Sequence, residues 1–257
     1  MTQLIFKFPF KVSYFQEDFY VSSNNFEAYK LIESWPNWPD KWINIYGPNG
    51  CGKTHLSNIL KKKINAVYVK SKEVSENILQ KIENVEFLII DNYSKDIDEI
   101  LFYSILNQAR QTNKYVLVLS KKSIKYMNIN LKDLKSRFDS FLDLGIDLPT
   151  DDLLSVVITK SFSDKQIEIS TRLLDYIIKN IDRSYENVFK FIKEIDNESL
   201  SSGKSININL IKKVLNKWIN IDHITVQNWP RATKEKKFPY LVGCIEKEIM
   251  EIFFSLT

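Results

Sequence analysis

The strongest constraint on this chain is the stretch Gly47-Pro48-Asn49-Gly50-Cys51-Gly52-Lys53-Thr54, with Gly-x-x-x-x-Gly-Lys-Thr spacing. An apolar run, Trp42 to Tyr46, precedes it, and from His55 to Lys63 the apolar residues recur at helical spacing. The chain must therefore provide a strand, a tight glycine turn and a helix in immediate succession. Glycines let the backbone curl around a phosphate chain, and successive N–H groups at the helix start present their positive ends to it. In this arrangement Lys53 reaches toward the β- and γ-phosphates, and Thr54 offers a hydroxyl to magnesium. The spacing predicts nucleotide binding.

The 257 residues are 44% apolar, enough for a real core in one α/β domain with a smaller companion. No stretch approaches the roughly twenty apolar residues of a membrane span. The first residues lack the charged start and cleavage site of a signal peptide, so a cytoplasmic location is expected. Two cysteines make neither a disulfide framework nor a metal cluster, and His55 and His223 have no ligands at zinc spacing. A net charge of +4, with lysines scattered rather than aligned, does not argue for nucleic acid.

After the loop, strand and helix patterns alternate, as in a parallel sheet with crossover helices. Strands are expected at Ala66–Val69, Glu86–Asp91, Tyr115–Ser120 and Phe141–Leu144, and helices at Asn25–Ser34, Ser71–Ile82 and Ile97–Thr112. Asn24 or Asn25 is the expected cap of the first helix. Trp35-Pro36-Asn37-Trp38-Pro39 ends that helix. From Thr150 to about Trp218 the spacing is helical, with Thr150 an N-cap ahead of Asp151 and Asp152. The division predicted is a terminal peptide at 1–12, a nucleotide-binding base at 13–149, a helical lid at 150–218 and a tail at 219–257. In the tail, Leu241–Phe254 fits one amphipathic helix.

Phe87-Leu88-Ile89-Ile90-Asp91 is an apolar strand ending in a carboxylate, placed to hold magnesium together with Thr54. The next residue, Asn92, can orient a water molecule but cannot take its proton. Hydrolysis by this chain alone is therefore not expected.

These residues resemble the DnaA-related AAA+ family over roughly residues 3–217. The likeness rests on Phe15-Gln16-Glu17-Asp18-Phe19 and Asn25, the phosphate loop with His55 and Leu56, Leu88 to Asp91, Leu131 to Phe138, and Trp35-Pro36-Asn37-Trp38-Pro39. It implies a five-stranded parallel AAA+ base followed by a small all-helical lid, ADP or ATP with magnesium as cofactor, and Asp18, Phe19, Val21 and Asn25 around the adenine and ribose. It implies a first sensor at Ser120 and an arginine finger, offered to a neighbouring subunit, at Arg137. From the residues alone, Arg137 reads equally as a surface arginine paired with Asp133 or Asp139. Finger chemistry between subunits leaves a homo-oligomer open.

Gln3, Leu4, Phe6 and Phe8 resemble the peptide by which members of this family dock on the DNA polymerase sliding clamp. An added edge strand is the plainer reading of the same residues. In the lid, Glu186 stands where the family's second sensor arginine is expected; either it points away or ATP is held weakly, and Arg183 is a possible substitute. The initiator's helix-turn-helix domain is only faintly echoed at Asp222 to Val226, so contact with DNA is expected mainly through the clamp.

Three functions follow from these features. The first is a regulator that docks on the clamp and promotes hydrolysis of DnaA-bound ATP, lowering initiation. The second is an ATPase or helicase loader acting on DNA, and the third a catalytically silent nucleotide-binding adaptor.

Overall fold

The computed structural model describes residues 19–203 and 205–227, with side chains through residue 217. Asp18, the Gln3, Leu4, Phe6 and Phe8 peptide, and the helix expected at 241–254 lie outside the described residues.

Five strands, β1 (Trp42–Tyr46), β2 (Ala66–Lys70), β3 (Phe87–Tyr93), β4 (Tyr115–Ser120) and β5 (Leu142–Gly145), form one parallel sheet in the order β2-β3-β4-β1-β5. The intervening helices are α1 (Phe26–Glu33), α2 (Lys53–Lys61), α3 (Asn77–Glu83), α4 (Glu99–Gln111) and α5 (Lys132–Asp139). A helical region follows: α6 (Asp151–Ser163), α7 (Thr171–Asn180), α8 (Tyr185–Ser202) and α9 (Ile208–Gln227). This is the parallel-sheet P-loop architecture expected from the sequence. The described residues through Leu215 pack as one compact unit.

Alternation along the buried strands sorts side chains to two faces. Ile43, Ile45, Phe87, Ile89, Leu117 and Leu119 pack with α1 and α2, whereas Trp42, Leu88, Ile90, Val116 and Val118 pack with α3, α4 and α5. Trp35 and Trp38 close the α1 side by edge contacts to Phe87, with ring centres 5.2 and 5.1 Å away.

Three local expectations need correction. The helix expected over Ser71–Ile82 splits into a single 3-10 turn, Ser71–Glu73, and α3, with Val74 extended between them. The hydroxyl of Ser71 accepts from the amide of Ser94 at 3.2 Å, tying the start of the segment to the loop after β3. β3 does not end at Asp91 but runs through a register shift to Tyr93, whose ring stacks on Phe102 at 4.9 Å. Asn25 holds the N-cap position of α1 without a side-chain cap; its amide instead accepts from Ser22 N at 2.9 Å and donates to Tyr20 O at 3.0 Å. Thr150 does cap α6, accepting from Leu153 N.

Candidate functional site

β1 delivers the chain into the loop, and α2 begins at Lys53. Gly50 and Gly52 have φ of +83° and +98°, backbone that side chains with a Cβ rarely adopt. Space is also short. A Cβ on Gly52 would lie 2.7 Å from the ring of Phe19, and one on Gly50 would lie 2.9 Å from Cβ of Tyr185 on α8. Phe19 itself stacks on Tyr29 and meets His55 edge-on at 5.4 Å, so it braces the start of α2. Val21 is half-buried nearby in sequence, and Asn25 is buried with its amide engaged as described. Cys51 is buried in the loop, and burial raises its thiol pKa against the lowering effect of Lys53.

The ammonium of Lys53 donates to the carbonyls of Gly47 and Pro48 at 2.7 and 2.8 Å. A phosphate arriving in the loop would compete for that same charge. At the foot of the loop the hydroxyl of Thr54 donates to Asp91, at 3.0 and 3.3 Å to its two oxygens. Asp91 is only 5% exposed, and a buried carboxylate requires donors. Its second donor is the hydroxyl of Tyr68 on β2. Sequence reasoning missed Tyr68, since only the strand register places it beside Asp91.

Thr54 and Asp91 are oxygen donors of the kind magnesium takes when phosphates and water complete its shell, so the donor set fits that ion. Among the described residues there is no cluster of three or more His, Cys, Asp or Glu that would form an all-protein metal cage. Asn92 follows with φ +56° at the register shift. Bulges of this kind re-aim side chains beside functional sites, and asparagine tolerates left-handed backbone better than most residues.

Ser120 lies at the end of β4 but is fully buried. Its hydroxyl accepts from Asn44 at 2.9 Å and donates to the carbonyl of Lys122 at 2.7 Å, so it faces the protein and offers no free donor to a phosphate. Asn44 is the second residue that sequence reasoning overlooked. Buried in β1, it also donates to Val118 O at 2.9 Å and accepts from Ile124 N at 3.1 Å, pinning the turn after β4. That turn presents Lys121 and Lys122 to a cleft of about 620 Å³ shared with Gly47, Pro48 and Leu148.

The helical region contributes α8. Glu186 points toward the loop, accepting from the Asn49 amide at 3.3 Å and pairing with Lys190 at 2.9 Å. Hydrogen bonding to Lys190 and then to Asn49 holds its carboxyl below the usual range. Arg183 does not take up the sensor position. Its guanidinium pairs in bidentate fashion with Asp151 on α6, at 2.9 and 3.1 Å.

Arg137 sits on α5, whose Leu134 and Phe138 pack on the sheet face opposite α2. The guanidinium turns onto its own α4, donating to Asn107 at 2.7 Å and lying 5.9 Å from the ring centre of Tyr103. Neither pairing expected from the sequence is the one seen; Asp139 instead pairs with Lys135 at 3.7 Å. The Nε of Arg137 is buried without a partner.

The loop, the strand-end carboxylate and the parallel sheet define a P-loop protein of AAA+ architecture. A family model described as RNA helicase matches residues 43–132, the span from β1 to the start of α5. An uncharacterised protein of Haemophilus influenzae is 24% identical over 213 residues, covering 78% of this chain and 92% of that protein. The chromosomal replication initiator protein DnaA of Buchnera aphidicola is 26% identical over 258 residues, covering 89% of this chain and 56% of the initiator. The chain thus spans about half the length of the DnaA relatives it matches. The structure of AMPPCP-bound DnaA from Aquifex aeolicus superposes with a TM-score of 0.60 at 19% identity, over 83% of this chain and 71% of that one. In sequence the chain is similar to DnaA, and it shares the AAA+ fold of the solved DnaA structure.

Proposed function

We propose that this chain is a nucleotide-holding regulator of replication initiation, of the kind exemplified by Hda. It keeps ADP or ATP with magnesium in its own loop and acts on the ATP of the initiator DnaA. The observation that carries the reading is the foot of the loop, where Thr54 meets the buried Asp91 while Asn92, which cannot serve as a base, follows on the bulge. Such a site is equipped to bind and poorly equipped to hydrolyse. Support for an adenine nucleotide comes from the AMPPCP in the related Aquifex structure. In this reading residues 13–149 are the base and 150–218 the lid, and Gln3, Leu4, Phe6 and Phe8 dock on the sliding clamp, which brings DNA near. A self-sufficient ATPase or helicase loader would put the same loop to use, but Asn92 and Glu186 both weigh against it.

Arg137 is the guanidinium offered in trans. At rest it is held by Asn107 and Tyr103. Leaving a buried N–H unpaired costs about 1–3 kcal/mol, so the resting pose is incompletely satisfied and release toward a neighbour's phosphate costs correspondingly less. The Asn107 bond also favours a second reading, in which Arg137 is structural and the chain is a silent adaptor.

Phosphate release by DnaA–ATP, measured with clamp, DNA and this chain, separates the two. The regulator reading expects stimulation that is lost in Arg137→Ala and kept or raised in Asn107→Ala. No stimulation by the unaltered chain ends the regulator reading. Equal stimulation by Arg137→Ala leaves that residue a structural role only.

A further inference from the structure

Alternation in β3 places Asp91 on the same sheet face as Phe87 and Ile89, the face covered by α2. β2 pairs in register with β3, Tyr68 opposite Ile89, and Tyr68 packs against that face too. Parallel pairing therefore brings the phenol to Asp91 from the outer strand, while Thr54 reaches the same carboxylate from α2. The two donors differ in what a metal does to them. Thr54 would lend an oxygen lone pair to an entering magnesium ion, while its O–H can go on donating to Asp91. Tyr68 has no such second duty. Its ring is steadied by the ammonium of Lys61 at the end of α2, 5.1 Å from the ring centre.

We propose that Tyr68 is a positioning residue for magnesium: its hydroxyl holds one oxygen of Asp91 so that the other stays aimed at the ion. This rests on the nucleotide-binding reading above and extends it to a residue outside the loop and the strand-end motif. The physical ground is general. Groups that orient a metal's carboxylate from outside its shell are worth about 10–100-fold in metal affinity. The hydroxyl serves here without contacting the ion.

The test measures binding of a fluorescent ribose-labelled ADP to the full chain across a magnesium series and in EDTA, comparing Tyr68→Phe with the unaltered protein. The variant should need about tenfold more magnesium for half-maximal enhancement of binding. Its affinity in EDTA should be unchanged, which a general loss of structure could not produce. An unshifted magnesium midpoint overturns the role of Tyr68, as does an equal loss of affinity with and without magnesium. If the unaltered chain binds equally well in magnesium and EDTA, the metal assignment for Thr54 and Asp91 falls, and Tyr68 with it. If the chain binds no adenine nucleotide under either condition, the functional reading itself fails.

Discussion

The two sides of the phosphate loop are built on different principles. Beneath it, Asp91 is buried and its partners come from α2, which supplies Thr54, and from the neighbouring strand β2, which supplies Tyr68. Above it, Glu186 and Arg183 are exposed and their charges pair with Lys190 and Asp151 of the helical region itself, with one further bond from Glu186 to Asn49. A buried polar group is strong because it cannot exchange its partner for water, whereas an exposed pair is screened and trades freely. On the proposed reading the lower side would fix whether a nucleotide binds, and the upper side would tune how tightly.

The largest effect that could break this contrast is on Lys53 and Asp91. Lys53→Ala should weaken adenine nucleotide binding by about 100-fold, the loss of a charge-assisted bond of roughly 2–3 kcal/mol. Isothermal titration in magnesium reads it directly. Asp91→Ala should abolish the magnesium dependence while sparing residual binding in EDTA. If either variant binds like the unaltered chain, the lower side is not the anchor.

Next in size is Asn44. Its side chain is fully buried and engages Val118, Ser120 and Ile124, so Asn44→Ala orphans several buried groups at once. A loss of about 2–3 kcal/mol in unfolding free energy is expected from urea melts. A loss below about 0.5 kcal/mol would mean that the turn after β4 is held by something else.

These positions also show how far sequence reading reaches. The strand–turn–helix at Gly47–Thr54 and the place of Asp91 on β3 were legible because they depend on local spacing: a strand, a tight turn, a helix start. The alternation of strands and helices gave the sheet, and Thr150 gave the start of α6 for the same local reason. Tyr68 and Asn44 were not legible, because their importance comes from neighbours on other strands. In isolation Asn44 is a polar residue in an apolar run, and what identifies it is the cross-strand register Asn44 to Val118. Ser120 was placed correctly at a strand end, but nothing local tells which way a serine hydroxyl turns. Arg137 depends on whether α4 offers a partner, and Asn107, far away in sequence, does.

The smallest effects lie on the upper side. Arg183 is spent on Asp151 with both side chains more than half exposed, so Arg183→Ala should cost at most about 1 kcal/mol of stability and leave nucleotide affinity unchanged. Glu186→Gln removes a negative charge beside Asn49. It should tighten binding of a triphosphate analogue a few-fold, more than of ADP, and the gain should fade near 1 M salt as screening shortens the reach of the charge.

The pH dependence has a definite sign. Because the folded carboxyl of Glu186 titrates below its ordinary value of 4.5, its contacts with Lys190 and Asn49 stabilise the fold above that value and are lost as pH falls through the lowered one. The melting temperatures of Glu186→Gln and the unaltered chain should then differ slightly at pH 7 and converge in acid, once the pH has fallen through that lowered value. A difference that persists in acid would place the origin of the effect in packing of α8 against Gly50 rather than in charge.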